Sequence, residues 1–353
     1  MSASPKVAVL GAGANGASIG ADLTRAGVDV VLIDQWPEHV EAMRANGVRI
    51  EMPEETLTVP VRAHHLCDVA TFEERFDIVL VVMKAYDAEW ACRLIAPYVK
   101  PDGLVAGVQN GMTAATIADA VGVERTVGCV IEVSSMMTVP GVVERHSPPS
   151  RSWFAVGSFD AAGTRRAEEV AALLRHAGKV EAVDDILAAK WMKLVSNCTT
   201  LVTTAILGLP MLAALNEPGM RELMLRAGQE ALDAGLARGH GIPPIFGLSA
   251  ADVEDPDRVV EVLLDTLYAG FVLEHTTTTI LHDWLKGRHS EVDDINGLAL
   301  SEARRHGLDA PVNAAIVELA HRIERGELEP RPENLALLHE LAAADVIPGE
   351  RFR

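Results

Sequence analysis

The chain has 353 residues, 49% of them hydrophobic, and a formal net charge of −19. Its length favours two domains over one, and its acidic balance disfavours nucleic acid and anionic membrane surfaces as partners. No apolar run approaches the roughly 18 residues that span a bilayer, and the N-terminal MSASPK lacks an apolar secretion signal, so a cytoplasmic, membrane-free protein is expected.

The first stretch of note is VAVLGAGANGASIGADLTRAGVDVVLID, Val7 to Asp34. The apolar run Val7–Leu10 reads as a buried strand, residues 17–26 as a helix closed by Gly27, and residues 28–33 as a second strand ending at Asp34. Between them lies G-x-G-x-x-G, from Gly11 to Gly16. Gly11 permits the tight turn, Gly13 lets a pyrophosphate approach the backbone, and Gly16 lets helix pack on strand. Free N–H groups at the helix start, at Ala14 and Asn15, then face the phosphates. Asp34 stands where a carboxylate meets a ribose 2′-hydroxyl. Gly11, Gly13, Ala14, Asn15, Gly16 and Asp34 are therefore expected to bind a dinucleotide.

Further along, 38–46 reads as a helix and 48–61 as extended chain. Residues 76–83 form a continuous apolar run, the mark of a parallel strand covered on both faces, followed by Lys84. Residues 86–99 read as helix, 104–108 as a strand followed by Gln109-Asn110-Gly111, 114–121 as helix and 126–134 as strand. Lys84 and Asn110 thus fall just past strand C-terminal ends, where open α/β sheets bind ligands, and both are expected near the cofactor. Segments 140–146 and 153–157 read as antiparallel strands that extend the sheet, 164–176 as helix and 180–183 as a last short strand.

Beyond Asp184 strand signals vanish. Helices are expected over 186–206, 218–240, 256–286 (despite the β-branched run Thr276 to Thr279), 295–306, 312–325 and 332–344. The fold class is therefore α/β, with an N-terminal Rossmann-type domain at 1–183 and an all-helical domain at 184–353. The four cysteines, Cys67, Cys92, Cys129 and Cys198, show no C-x-x-C spacing or close histidine pairing, read as buried or incidental thiols, and leave no metal site expected.

Four stretches in this order carry a resemblance: the glycine loop, Val108-Gln109-Asn110-Gly111, the segment Lys190-Trp191-Met192-Lys193-Leu194-Val195-Ser196-Asn197, and Ser290-Glu291-Val292-Asp293-Asp294-Ile295-Asn296-Gly297. Together they resemble the ketopantoate reductase (2-dehydropantoate 2-reductase) family from Val7 to about Glu324. The resemblance implies a helical C-terminal domain like that of 6-phosphogluconate dehydrogenase. It implies Lys193 as the catalytic lysine, Glu291 as a second catalytic residue, Asn197 and Asn110 as substrate-binding, and Thr278 as the hydroxyl that takes the substrate carboxylate. The chemistry agrees: hydride delivery to a ketone makes an alkoxide that needs a proton and a nearby positive charge, and Lys193 and Asn197, at i and i+4, share a helix face. Spacing alone does not separate Lys193 from Lys190, which lies on nearly the same face; the resemblance prefers Lys193.

Departures from the family pattern also count. No Lys or Arg follows Asp34 before Arg44, and a carboxylate there repels a 2′-phosphate, so NAD(H) is expected over NADP(H). Leu201 stands where some members have a further substrate asparagine, and a lost polar contact re-aims a pocket. The expected reaction interconverts a 2-keto acid, ketopantoate or a related ketone, and its 2-hydroxy acid. The expected assembly is a homodimer through the helical half, with Arg331 to Arg353 as an added helix. The rivals are an opine or 3-hydroxy acid dehydrogenase and a non-catalytic NAD-binding sensor.

Overall fold

The computed structural model describes residues 4–158 and 164–343. The chain divides into two compact units, Met1–Lys190 and Trp191–Arg353. The division falls one turn inside a helix rather than ahead of it at residue 183.

In the first unit the elements run β1 Lys6–Leu10, α1 Ala14–Arg25, β2 Asp29–Asp34, α2 Pro37–Asn46, β3 Val48–Glu51, β4 Thr56–Val59, β5 Ala63–His65, β6 Phe76–Val81, α3 Ala88–Ile95, β7 Val99–Val108, α4 Ala114–Val121, β8 Thr126–Glu132, β9 Ser135–Val139, β10 Val142–Arg145, β11 Trp153–Ser158, α5 Thr164–Leu174 and β12 Lys179–Ala182. Eight strands form one sheet in the order β12-β11-β8-β7-β6-β1-β2-β5. From β5 to β8 all pairs are parallel, with Val9 beside Leu32 on one side and Leu80 on the other. β11 joins β8 antiparallel, and β12 runs parallel to β11. Alternate residues of β1 serve opposite cores: Val7 and Val9 pack with residues of α1, Ala8 and Leu10 with residues of α3. A strand buried on both faces has no polar side, which is why its sequence reads as a continuous apolar run.

The sheet reverses its strand order between β1 and β6. Both crossovers leave the C-terminal strand ends at this switch point open to a ligand. The glycine loop follows β1 there, Lys84 follows β6, and Asn110 follows the neighbouring β7.

Residues 48–61 are not one extended run. They form the β3–β4 hairpin of a separate sheet, ordered β4-β3-β10-β9. β10 therefore leaves the main sheet that it was expected to extend; only β11 joins it. The second sheet lies against α1, which explains the polar groups buried along that helix. Arg145 of β10 is fully buried, pairs with Asp22 of α1 at 2.5 Å, and donates to the carbonyls of Ser147 and Ala177. Burial raises the Asp22 carboxyl, and the guanidinium pulls it back.

The remaining helices are α6 Ile186–Ile206, α7 Met211–Leu215, α8 Met220–Arg238, α9 Pro256–Phe271, α10 Thr279–Leu285, α11 Leu298–Arg305, α12 Pro311–Glu324 and α13 Asn334–Ala343. Among the described residues the second unit holds no strand. The α6 segment of this unit is almost wholly buried although it carries four threonines. Thr199, Thr200, Thr203 and Thr204 each donate to the carbonyl four residues back, at 2.7–2.8 Å, so their hydroxyls enter the core already paired. α8 comes close through its glycines: a Cβ at Gly235 would overlap the Trp191 ring, and one at Gly228 the Thr199 hydroxyl.

The expected helix over 256–286 breaks after Phe271. Thr276 accepts from the Leu273 N–H through its hydroxyl, and its own N–H returns to the Leu273 carbonyl, closing a turn. Thr278 then caps α10. Threonines favour turns and caps over helix interiors because their hydroxyls satisfy nearby backbone. The expected C-terminal helix ends among the described residues at Ala343; the stretch 344–353 lies outside them.

Candidate active site

The glycine loop is built by close approach. Gly11 has φ 94°, and a Cβ on it would overlap the Met83 side chain and crowd the backbone of Val82 and Met83. A Cβ on Gly16 would overlap the Gly11 carbonyl oxygen. Gly13 is different: a Cβ there would meet nothing within 4 Å. Gly13 caps α1 without a side-chain partner, and no acidic residue occupies the first turn. The first intrahelical bond is Ala17 N–H to Gly13 O, at 2.8 Å. The amides ahead of it, at Gly13, Ala14, Asn15 and Gly16, are the ones a helix start leaves without intrahelical partners. α1 starts at Ala14, three residues earlier than the apolar pattern indicates, and so carries its amides into the loop. Open space beside Gly13, an uncapped helix start and no nearby carboxylate in the first turn fit a pyrophosphate.

Two side chains tie the elements around this loop. His39 accepts the Gly141 N–H on Nδ1 at 2.9 Å, so its Nε2 carries the proton given to the Ala12 carbonyl at 2.8 Å. Burial lowers its pKa, against the Ala12 bond and the nearby Asp34, and favours this neutral form. Gln109 donates through Nε2 to the carbonyls of Met83, at 2.6 Å, and Lys84, at 3.2 Å, tying the β6 tip to the β7 tip. Asn15 accepts from the Ser135 hydroxyl at 2.6 Å.

Asp34 is buried at the end of β2, and its Oδ1 accepts the Trp36 N–H at 2.9 Å. The first basic residue after it, Arg44, is engaged by Glu41, Asp68 and the Ala63 carbonyl. Asn110 is half-buried, with Oδ1 buried and without a hydrogen-bond partner.

The structure separates the two lysines that spacing could not. Lys190 belongs to the first unit, where its ammonium donates to the carbonyls of Gln109, at 2.9 Å, and Cys129, at 3.1 Å. Burial pushes its pKa down to about 8. Lys193 belongs to the second unit, with its Nζ 5.1 Å from the centre of the Phe246 ring. One turn on, Asn197 is 1% exposed, and neither its Oδ1 nor its Nδ2 has a partner; the neighbouring Ser196 hydroxyl is also unpaired. The contrast with the four back-bonded threonines of the same helix is direct.

Other elements of the second unit converge on α6. Asn296 donates to the Cys198 carbonyl at 3.2 Å and so pins the 290–297 segment, with the buried Glu291, to the Asn197 turn. Glu324 fixes the start of that segment by accepting from the Ser290 N–H and hydroxyl, at 3.0 and 2.5 Å. Asp294, also in the segment and not anticipated as special, is half-buried; burial first, and then Glu291 and Asp293, push its pKa up to about 6.

Thr278 stands at the start of α10. It gives its hydroxyl proton to the Leu201 carbonyl at 3.0 Å and accepts the Leu281 N–H at 3.4 Å. Among the described residues no group of three or more His, Cys, Asp or Glu side chains could hold a metal ion. Three of the cysteines are buried and Cys67 is exposed.

A glycine-loop nucleotide site and a lysine–asparagine helix in one chain suit nicotinamide chemistry on a carbonyl. The ketopantoate reductase PanE/ApbA model matches residues 7–161, and the ketopantoate reductase PanE/ApbA C-terminal model matches residues 185–324. The chain belongs to the ketopantoate reductase family. Relatives include the 2-dehydropantoate 2-reductase of Archaeoglobus fulgidus, 26% identical over 323 residues, covering 91% of this chain and 98% of the relative. That of Mesorhizobium japonicum is 28% identical over 347 residues, covering 91% and 99%. The PanE/ApbA family ketopantoate reductase structure from Ralstonia eutropha is similar with a TM-score of 0.75 at 26% identity, covering 91% of this chain and 99% of that one. A ternary structure of D-mandelate dehydrogenase with NADH and anilino(oxo)acetate gives a TM-score of 0.80 over 91% and 99% of the two chains; at 20% identity that likeness concerns the fold. This ketopantoate reductase family member is an oxidoreductase with a nicotinamide-binding α/β unit and a helical C-terminal unit. No helix among the described residues is long and apolar enough to cross a membrane.

Proposed function

We propose that the protein reduces a 2-keto acid to its 2-hydroxy acid with NADH, Lys193 acting as general acid. Bound at the glycine loop, reduced nicotinamide supplies the hydride that the carbonyl carbon accepts. Lys193 gives a proton to the carbonyl oxygen as its charge develops, and takes it back in the oxidative direction. Glu291 orients the ammonium, and Asn197 and Asn110 position the substrate. The observation that carries this reading is Asn197: a buried amide with both polar atoms unpaired is costly unless a ligand completes it, and it sits one turn from Lys193.

The cofactor preference rests on Asp34 and on Arg44, whose guanidinium is occupied by Glu41 and Asp68. A buried carboxylate at the end of β2 favours the ribose hydroxyl of NAD(H) over a 2′-phosphate. Leu201 supports a second, finer reading, in which the substrate side chain is less hydroxylated or larger and more apolar than that of ketopantoate. A homodimer through the helical half belongs to the same reading, and light scattering tests it.

The deciding variant is Lys193→Ala. Losing the general acid should lower kcat by about 10²–10⁴-fold, while NADH binding, followed by fluorescence, stays unchanged. Turnover at the level of the unaltered protein would remove Lys193 from the reaction.

A further inference from the structure

Phe246 belongs to none of the sequence motifs, yet three observations meet on it. It is the one non-glycine residue among those described with positive φ, at 62°, and Gly247 follows with φ 80°. The Leu248 N–H reaches the Ile245 carbonyl at 3.1 Å, so Phe246 and Gly247 are the two central residues of a tight turn. Turns with φ positive at both central places ordinarily take Asn-Gly; a bulky aromatic residue at the first place is held there against its backbone preference. Its ring stands 5.1 Å from the Lys193 Nζ and packs on Phe271, with ring centres 5.6 Å apart and planes tilted by 50°.

We propose that Phe246 is a positioning residue of the reaction: its ring face holds the Lys193 ammonium in the pose from which the proton is given. The proposal rests on the reading of Lys193 as the acid. A lysine ammonium is a point charge on a flexible stem, and a buried one needs something to hold it. An aromatic face attracts the cation without being able to accept its proton. A carboxylate attracts more strongly but competes for that proton, so Phe246 and Glu291 have separate tasks. The turn fixes where the ring goes, and Phe271 fixes how it tilts.

The test uses full-length protein with 4-fluoro-, 3,5-difluoro- and 3,4,5-trifluorophenylalanine placed at position 246, together with Phe246→Asn. Fluorination weakens the ring's negative face with little change of shape, and Asn suits the turn while removing the ring. The kinetic probe is the fastest of ketopantoate, pyruvate and phenylglyoxylate with NADH. We expect kcat to fall stepwise along the fluorinated series and by roughly tenfold in Phe246→Asn, with KM and NADH binding changed by less than about twofold. In protein carrying 13C-lysine, the ε-methylene signal of Lys193, assigned by its loss in Lys193→Ala, should lie upfield from the ring current and move to the ordinary lysine position in Phe246→Asn. A flat or rising kcat across the series, or an ε-methylene signal indifferent to the ring, overturns the proposal. Unimpaired turnover by Lys193→Ala overturns instead the reading beneath it.

Discussion

The glycine loop after β1 and the middle of α6 both prepare a site, by opposite means. The loop works through backbone. Its amides are left over by helix geometry, Gly11 and Gly16 have no room for a Cβ, and Gly13 keeps open space beside the helix start. α6 works through side chains in a packed interior. Four of its threonines satisfy themselves on their own helix, whereas Asn197 and Ser196 do not. A backbone site costs little to keep without its ligand, because loop amides can reach water. A buried side-chain site carries its unpaired groups as a standing penalty. The difference teaches where to look for function in each: in absent side chains in the first region, in unpaired ones in the second.

The sharpest break in the comparison comes from the loop. Gly16→Ala places a Cβ on the Gly11 carbonyl, backbone against backbone, so the loop has to move. Stability should fall by about 3 kcal/mol, and NADH affinity by about 100-fold or more. Urea melts and fluorescence titration read the two. Unchanged NADH affinity would mean the loop is not the cofactor site.

Gly13→Ala separates shape from binding. Its Cβ meets nothing in the protein, so the melt should stay within about 0.5 kcal/mol, while NADH binding weakens roughly tenfold because the pyrophosphate loses its approach. A melt that drops with unchanged binding would reverse that assignment.

In α6 the expected sign is opposite. Asn197→Leu removes two unpaired polar atoms from the core and should stabilise the protein by about 1 kcal/mol while lowering turnover. A destabilised Asn197→Leu protein would show that the amide serves the fold. Smaller still is the effect of Asp294. With its folded pKa pushed up to about 6 from the ordinary 3.8, the folded chain holds a proton through that window and the unfolded chain does not. Its contribution to stability is therefore lost as pH rises from about 4 to about 6. Urea midpoints of the unaltered protein, measured relative to Asp294→Asn, should decline across that window; a flat difference would place the raised pKa elsewhere.

The two regions were also unequally legible. β1, the glycine loop and β2 follow from contiguous residues, because an apolar strand, G-x-G-x-x-G and a helix make a local pattern. The second sheet was not legible: β3 pairs in parallel with β10, some ninety residues later, and no local pattern announces such a pairing. The break before α10 was half-visible in the threonine run, but its placement depends on Thr278 reaching Leu201. Lys190 and Lys193 share a helix face; beyond the family resemblance, the carbonyls of Gln109 and Cys129, brought to Lys190 by the sheet, tell them apart. His39 gave no signal, and Gln109 stood in its motif without a visible task, since a polar side chain that ties backbone looks like any other until its acceptors are known. For Phe246 the one available hint was the glycine after it.

NADH-driven reduction of a 2-keto acid is tested most directly by the loss of NADH absorbance with ketopantoate, pyruvate and phenylglyoxylate, repeated with NADPH. We expect turnover of at least one of the three, with the higher kcat/KM for NADH. No turnover of any of them while NADH binds, or a higher kcat/KM for NADPH, would contradict it.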